Sequence, residues 1–190
     1  MSHFFAFLSK MKYIRRWGIM RNTRDENIQE HSLQAAMIAH ALAVIKNRLY
    51  GGNVDPMLAM GIAMYHEAGE IITGDLVTPI KYFNPEINKA YKDIEKLATD
   101  KIFNMIPKEL RKDYEPLFFN ESSEEYKLVK AADKLCAYLK CLEELKSGNN
   151  EFLKAKLKIE EDLTKMDRKE VEYFINTFLE SFCLTLDELN

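Results

Sequence analysis

The sequence has little of several residue types, and each scarcity excludes a class of protein. Its 190 residues include three cysteines, five prolines and seven glycines, which excludes a disulfide-rich or collagen-like chain. Basic residues number 27 against 30 acidic ones, so no basic excess is available to bind nucleic-acid phosphates. Hydrophobic residues make up 47% of the chain, a globular composition. We therefore expect a folded protein without a nucleic-acid polymer as partner.

Long apolar runs are also missing. The longest weakly polar run, AAMIAHALAVI, is too short to cross a bilayer, so we expect no membrane partner. The first residues place their charges after the apolar part, the reverse of a secretory signal. The odd number of cysteines, without a CxxC pair, is typical of reduced thiols. These features together predict a cytoplasmic protein.

A helical period dominates the chain, and no segment has convincing strand alternation. Capping residues and glycines bound the predicted helices. The predicted helices cover about 2–13, Asn27 to the Gly51–Gly52 pair, Asp55 to near Gly74, a segment from NPEI at 84–87, SSEE at 122–125 to Gly148, a segment from NNEF, and about 167–182. The pattern predicts one compact all-α bundle of six or seven helices. Segments 14–26 and 73–84 are the best candidates for site-forming loops.

Several ionisable side chains lie on helix faces that the spacing predicts to be buried. His31 begins the apolar stripe of the second helix, and His66 shares a face with Ile62 on the third. Glu67 is about 100° round the helix from His66, which allows both to reach one point. Asp133 lies among apolar residues on a later helix. Two histidines and two carboxylates, from three helices, are therefore predicted to face the interior.

Each of these residues has an ordinary structural explanation when taken alone. A histidine on an apolar face is commonly a hydrogen-bonded core residue, an aspartate can cap a helix or pair with an arginine, and Glu70 could be a solvated surface charge. Four buried ionisable groups are nevertheless costly unless one cation binds them together. A mixed imidazole and carboxylate set suits a divalent ion with positions left for water and substrate. The spacing suggests such a site without specifying it.

The order of the His, His–acid and Asp residues can be read together with five segments, SHFFAFLSKMKYIRRWGIMRN, EHSLQAAMIAHALAVIKNR, GDLVTPIKYFN, KAADKLCAYLKCLEEL and GNNEF. In this combination the chain resembles the bacterial 5'-deoxynucleotidases of the HD-domain phosphohydrolase superfamily. The resemblance implies a single HD-type domain over residues 1–190 that hydrolyses deoxyribonucleoside 5'-monophosphates. It also implies a homodimer and one divalent metal ion, a transition ion such as Co, Mn, Zn, Ni or Cu.

The same resemblance implies roles for particular residues. The metal ligands are His31, His66, Glu67 and Asp133. Glu70 matches a carboxylate needed for catalysis, and Arg16 matches a residue that both orients the phosphate and takes part in catalysis. The other positions that match substrate contacts are Trp17 and the loop residues Asp75, Leu76, Val77 and Thr78.

Two positions depart from the family pattern. Glu67 stands where the family has aspartate, and its carboxylate lies about one C–C bond, ~1.5 Å, farther from the backbone. Gly69 nearby offers the helix some freedom to absorb that length. Val77 stands where proline is expected. Two alternatives stay open. One keeps the fold and is another nucleotide phosphohydrolase or phosphodiesterase; the other, which the Glu67 departure suggests, is a non-catalytic protein that binds nucleotide or metal.

Overall fold

The computed structural model describes residues 1–77 and 84–189, and its regular elements there are helical, which confirms the all-α prediction. The α-helices are α1 Phe4–Leu8, α2 Ile28–Leu49, α3 Pro56–Tyr65, α4 Glu70–Thr73, α5 Pro85–Phe103, α6 Arg111–Phe118, α7 Glu124–Lys146, α8 Leu153–Lys165 and α9 Lys169–Phe178. Short 3₁₀ turns lie at Met11–Tyr13, Lys108–Leu110, Asn150–Phe152, Glu180–Cys183 and Leu186–Leu189. In the described ranges, no helix is both long and apolar enough to cross a membrane.

The long helices begin at the capping residues that the sequence predicts. The side chain of Asn27 accepts hydrogen bonds from two amides at the start of α2, each at 3.0 Å. Asp55 caps α3 in the same way and is followed by proline. Asn84 and Ser123 cap α5 and α7. Each cap satisfies amide groups that the helix itself leaves unpaired.

The main core lies between α2, α3 and α7, with α8 and α9 packed around them. Small residues such as Ala35, Ala39, Ala59 and Ala63 are fully buried where α2 and α3 meet. Because these side chains are short, the two helix axes approach closely. The close approach brings His31, at the start of α2, near the end of α3.

Two predicted helices end differently in the structure. The first is split into α1 and a 3₁₀ turn at Met11–Tyr13. The third was predicted to continue to near Gly74, but α3 ends at Tyr65 and a turn at 66–69 precedes α4. A glycine at position 69 weakens a helix, which is consistent with the break. His66 and Glu67 therefore lie in a turn and not on a helix face.

The 107–121 segment contains a helix, α6, for which the sequence pattern gives no start signal. Its polar sequence and the internal Pro116 argue against a helix by propensity. Tertiary packing overrides that preference, because Phe118 lies against Phe4 and Tyr65 with ring centroids 6.2 and 5.4 Å away. These rings belong to a second apolar cluster around Phe4, Ala68, Ile102 and Ile106.

The 14–26 loop is closed at its ends by backbone pairing. Arg15 and Asn27 form an isolated antiparallel bridge, and the amide of Arg16 donates to the carbonyl of Glu26 at 2.9 Å. Across this bridge, the loop returns beside its own beginning.

A buried polar network attaches the middle of the 14–26 loop to α7. Glu144, whose exposed fraction is 1%, accepts from the backbone amide and hydroxyl of Thr23 at 2.9 and 2.8 Å. Lys140 donates to the same carboxylate and to the carbonyl of Arg24. Asn149 donates to Glu144 and to the carbonyl of Arg21. The loop is therefore held by side chains far away in the sequence.

Candidate metal centre and active site

The structure brings four predicted ligands together. One donor atom from each of His31, His66, Glu67 and Asp133 lies within 4.8 Å of the others. The ring centroids of the two histidines are 5.3 Å apart. The N-terminal turn of α2, the 66–69 turn and the middle of α7 supply these side chains. Imidazole nitrogens and carboxylate oxygens at this separation form a donor set that a divalent transition ion accepts.

The ring of His66 is held with one nitrogen facing the cluster. Its Nδ1 lies 2.7 Å from the carbonyl oxygen of Ala63, and because a carbonyl only accepts, Nδ1 carries the proton. Nε2 is buried, lies 3.0 Å from Glu67 Oε1 and makes no hydrogen bond of good geometry within the described residues. A nitrogen prepared in this way is the usual donor of a metal-binding histidine.

The ring of His31 is fully buried between Asp133 and Glu26. Its Nε2 lies 3.0 Å from Asp133 Oδ1, and its Nδ1 faces Glu26 Oε1 at 3.8 Å. Burial, together with the positive charge of Arg16, lowers the pKa of His31 below its ordinary value. The ring is consequently neutral at pH 7, the form that coordinates a metal.

The two carboxylates of the cluster are held in their charged forms. Burial acts to raise the pKa of Asp133, but the contact with His31, 3.0 Å away, outweighs it, so the pKa lies well below its ordinary value. The pKa of Glu67 is lowered in the same manner, against burial, by the His66 ring 3.0 Å away. In turn, Glu67 raises the pKa of His66 despite burial. A cation at this point would take the place of that imidazolium proton.

Glu70 lies beside the cluster and differs from the other carboxylates. Burial, and then the charge and hydrogen bond of Glu67, raise the pKa of Glu70 to about 10. Its carboxyl group is therefore protonated at neutral pH and donates to Glu67. A protonated carboxyl group next to a metal-binding carboxylate is able to give up a proton during a reaction.

Arg16 comes from the 14–26 loop and points its guanidinium group towards the cluster. Its Nη1 lies 4.0 Å from Asp133 Oδ1, and 14% of its side chain is exposed. Burial acts to lower the pKa of Arg16, but four nearby carboxylates, with Glu26 the strongest contributor, raise it above its ordinary value. A permanently charged planar fork at the edge of a metal site suits a phosphate group.

Trp17 and Asp75 lie close to this arrangement. The indole Nε1 of Trp17 donates to Glu26 Oε2 at 3.1 Å, and its ring packs 5.4 Å from Phe152. Asp75 is half-buried and acts electrostatically on both Arg16 and Glu70.

Leu76 and Val77 follow Asp75 and are half-buried, but the described contacts do not place them against the cluster. Thr78 lies outside the described residues.

The role suggested for Gly69 differs from the one the structure gives. Its backbone φ of -61° is an ordinary helical value, so the position does not need the freedom of glycine. A Cβ there would instead lie 2.9 Å from Thr99 Oγ1. Gly69 therefore allows α5 to approach the turn that carries Glu67.

Glu26 is not among the site residues predicted from the sequence. Its carboxylate nevertheless contacts Arg16, Trp17 and His31. It lies in a predicted loop, immediately before the capping residue of α2, where helical periodicity gives no information. One signal was present, because the basic pair Arg15–Arg16 and the acidic pair Asp25–Glu26 lie at opposite ends of that loop. The structure pairs them in register, Arg15 with Asp25 and Arg16 with Glu26.

Sequence comparison agrees with this geometry. The family model described as 5'-deoxynucleotidase YfbR-like matches residues 3–182. The chain belongs to this family. It is 56% identical over 191 residues to the 5'-deoxynucleotidase YfbR of Shigella dysenteriae serotype 1, with 100% of this chain and 96% of the relative covered. The protein of the same name from Escherichia coli strain ATCC 8739 is equally similar, with the same coverage.

Solved structures of HD-domain proteins share the fold of this YfbR-like chain. An HD-domain phosphohydrolase from Listeria innocua superposes with a TM-score of 0.82 at 22% identity, covering 95% of this chain and 88% of that chain. The cyanophage S-2L HD phosphohydrolase DatZ, bound to dA and one catalytic Zn²⁺ ion, superposes with a TM-score of 0.65 at 21% identity, covering 93% and 95%. The HD-type fold expected from the sequence is thereby confirmed.

Proposed function

We propose that this protein hydrolyses deoxyribonucleoside 5'-monophosphates to deoxynucleoside and phosphate, with a divalent metal ion. The observation that carries the proposal is the His31, His66, Glu67 and Asp133 cluster in a chain 56% identical over its length to 5'-deoxynucleotidases. Arg16 and Glu70 next to the cluster add a phosphate-binding cation and a proton donor. We further propose that residues 1–190 act as one domain.

The residues present fit a metal ion. The buried Nε2 of His66 has no well-oriented hydrogen-bond partner in the described part of the chain, while its Nδ1 is fixed by Ala63. Both carboxylates of the cluster are charged. His31, His66, Glu67 and Asp133 would hold the ion, and the ion would supply a Lewis acid for the phosphate and lower the pKa of a water molecule.

The chain's own residues bind the phosphate and manage the proton. Arg16 holds the non-bridging oxygens of the phosphate with parallel N–H groups and stabilises the charge that grows during P–O cleavage. Glu70, which is protonated at neutral pH, donates its proton to the leaving 5'-oxygen. These two roles account for a cation and a neutral acid on either side of the cluster.

The residues that contact the sugar determine which nucleotides bind. We propose that Asp75 accepts a hydrogen bond from the sugar 3'-hydroxyl and that Trp17 packs against the sugar or base. The contacts expected from Leu76, Val77 and Thr78 stay predictions. We expect 2'-deoxyribonucleotides to be preferred over ribonucleotides, with little regard for the base.

Glu67 replaces the aspartate that the family resemblance leads us to expect, and the described geometry supports a working ligand. Its Oε1 reaches His66 Nε2 at 3.0 Å from a turn, not from a helix. The buried charge of Glu67 would also be costly if no cation bound beside it.

Phosphate release from dAMP, AMP and dUMP tests the proposal. Metal-free protein is resupplied separately with Co²⁺, Mn²⁺, Zn²⁺, Ni²⁺ and Cu²⁺, and turnover is measured with each substrate. We expect release of phosphate from both deoxyribonucleotides with at least one ion and slower release from AMP. Equal rates with AMP would overturn the substrate class. Absence of turnover with every ion would support the non-catalytic alternative, and Glu67→Asp would then show whether the longer ligand is the cause.

We also propose a cytoplasmic homodimer. Exposed apolar residues on neighbouring helices support the dimer, because apolar side chains exposed together are typical of protein interfaces. They are Leu33, Met37 and Val44 of α2 and Met57 and Met64 of α3. Sedimentation is expected to give twice the 22.2 kDa chain mass, and Met37→Glu is expected to shift the protein towards monomer. A monomeric unmodified protein would refute the dimer. The cytoplasmic location stays a prediction.

A further inference from the structure

We infer that Glu26 is a positioning residue that sets the directions of the phosphate-binding Arg16, the substrate-binding Trp17 and the metal ligand His31 through one carboxylate. The inference deepens the proposed function and rests on it for the roles of those three residues. The geometry of Glu26 itself comes from the structure alone.

The carboxylate of Glu26 contacts all three groups. Its Oε2 accepts a hydrogen bond from Trp17 Nε1 at 3.1 Å and lies 3.4 Å from Arg16 Nε. Its Oε1 faces His31 Nδ1 at 3.8 Å. Only 14% of the Glu26 side chain is exposed, so little water competes for these contacts and each is stronger than it would be at the surface.

These contacts decide which atoms face the metal cluster. Because the Nε edge of Arg16 faces Glu26, the Nη1 edge is left towards Asp133, 4.0 Å away. Because Nδ1 of His31 faces Glu26, Nε2 is left beside Asp133 at 3.0 Å. The Glu26–His31 contact at 3.8 Å is electrostatic, without a hydrogen bond, and the negative carboxylate favours the imidazole tautomer that carries its proton on Nδ1, which leaves Nε2 to the metal.

Trp17 provides an independent sign of this role. Its φ of 59° lies in the left-handed region, where the backbone of a residue with a large side chain is strained. The side chain of Trp17 is held by Glu26. The backbone carbonyl of Trp17 accepts from the amide of Met20 at 2.9 Å and from Asn22 Nδ2 at 3.3 Å. The strained residue is held at both ends, as expected where a ring must be presented at one angle.

The adjacent pair, Arg15 and Asp25, is a matched control supplied by the chain. The Arg15–Asp25 ion pair is 3.0 Å long, but its two side chains are 71% and 62% exposed. It lies on the outer side of the same backbone bridge that places Arg16 and Glu26 on the inner side. An exposed pair of this kind contributes little, so Asp25→Asn removes the same kind of charge without touching the site.

Glu26→Gln tests the inference. Its amide can still accept from Trp17 with its oxygen, but its NH₂ group then faces the protonated Nδ1 of His31, so two donors oppose each other. We expect Zn²⁺ affinity, measured by calorimetry on metal-free protein, to fall roughly ten- to hundredfold. We expect KM for dAMP to rise as Arg16 loses its charged partner, and the emission of Trp17, the sole tryptophan, to shift. Asp25→Asn should change Zn²⁺ affinity and KM by less than twofold and leave the emission of Trp17 unshifted.

Each result has a defined reading. Unchanged Zn²⁺ affinity and unchanged kcat/KM in Glu26→Gln, with turnover of dAMP by the unmodified protein, would overturn the inference and leave the proposed function intact. Weaker Zn²⁺ binding and a shifted emission in a protein without phosphatase activity would uphold the role of Glu26 and refute the proposed function. Equal losses in Asp25→Asn would reduce the effect to net charge and also overturn the inference. If Glu26→Gln does not fold, Glu26→Asp replaces it. Its carboxylate lies about 1.5 Å farther from His31, and Zn²⁺ affinity is expected to fall at least threefold.

Discussion

Glu144 offers the sharpest test of how the 14–26 loop is held. Its buried carboxylate accepts from Lys140, from Asn149 and from the backbone and hydroxyl of Thr23. Burial alone would raise the pKa of Glu144, but these hydrogen bonds lower it to about 2 from an ordinary 4.5. At about 1.4 kcal/mol for each pKa unit, the charged form is stabilised by about 3 kcal/mol.

Glu144→Gln removes the charge and leaves Lys140, which is 6% exposed, without its anion. Breaking a buried ion pair by removing one partner costs about 3–5 kcal/mol, which agrees with the value from the pKa. For a chain of this size, about 3 kcal/mol lowers Tm by roughly 6–12 °C. Thermal and urea unfolding with circular dichroism measure both quantities.

The neighbouring Glu143 is exposed, and Glu143→Gln is the matched control with an expected change below about 0.5 kcal/mol. The double variant Lys140→Met, Glu144→Gln removes the stranded cation and should recover about half of the loss. If Glu144→Gln were as stable as the control variant, the network would not hold the loop in the way the structure implies.

Three further outcomes follow from the site and its supports. Because the pKa of Glu144 is lowered, its contribution to stability is present above about pH 4.5 and is lost as the pH falls towards 2; acid titration should show a loss in that window that Glu144→Gln lacks. Gly69→Ala should destabilise the protein by about 1–3 kcal/mol, since its Cβ would meet Thr99 Oγ1 at 2.9 Å, and adding Thr99→Ala should restore stability; no rescue would exclude that contact as the cause. Glu70→Ala should reduce turnover at least a hundredfold while the protein keeps its metal by elemental analysis. Loss of the metal would instead make Glu70 a ligand.

The helices that build the site were predictable because their residues interact locally. Asn27, Asp55 and Ser123 satisfy amides within their own helices, and the apolar stripe that His31 begins follows from the 3.6-residue repeat. The meeting of His31 with His66 and Asp133 was suggested by burial cost and by family resemblance. Spacing alone could not place α2, the 66–69 turn and α7 relative to one another.

What escaped prediction depends on contacts between distant parts of the chain. Lys140 and Glu144 have the i, i+4 spacing of an ordinary solvated helix pair, but the 14–26 loop lies over them and Asn149 and Phe152 contact them, so both are buried. The helix around Pro116 is stabilised by packing of its Phe118 against Phe4 and Tyr65. These partners lie far away in the sequence, so the helix's own residues do not predict it. Glu26 gains its contacts from a single backbone bridge, which hydrophobic periodicity does not report.

The attachment of the 14–26 loop to α7 also sets an order of events during synthesis. Glu144, which accepts hydrogen bonds from Thr23, lies 121 positions later in the chain. The loop therefore leaves the ribosome long before the side chains that hold it have been made. Arg16 and Trp17 consequently remain without their final surroundings until α7 has been made and packed. The 14–26 loop, although near the beginning of the chain, is among the last parts to mature. Under the proposed function, a nascent chain would not hold nucleotide before Asp133 on α7 is also in place.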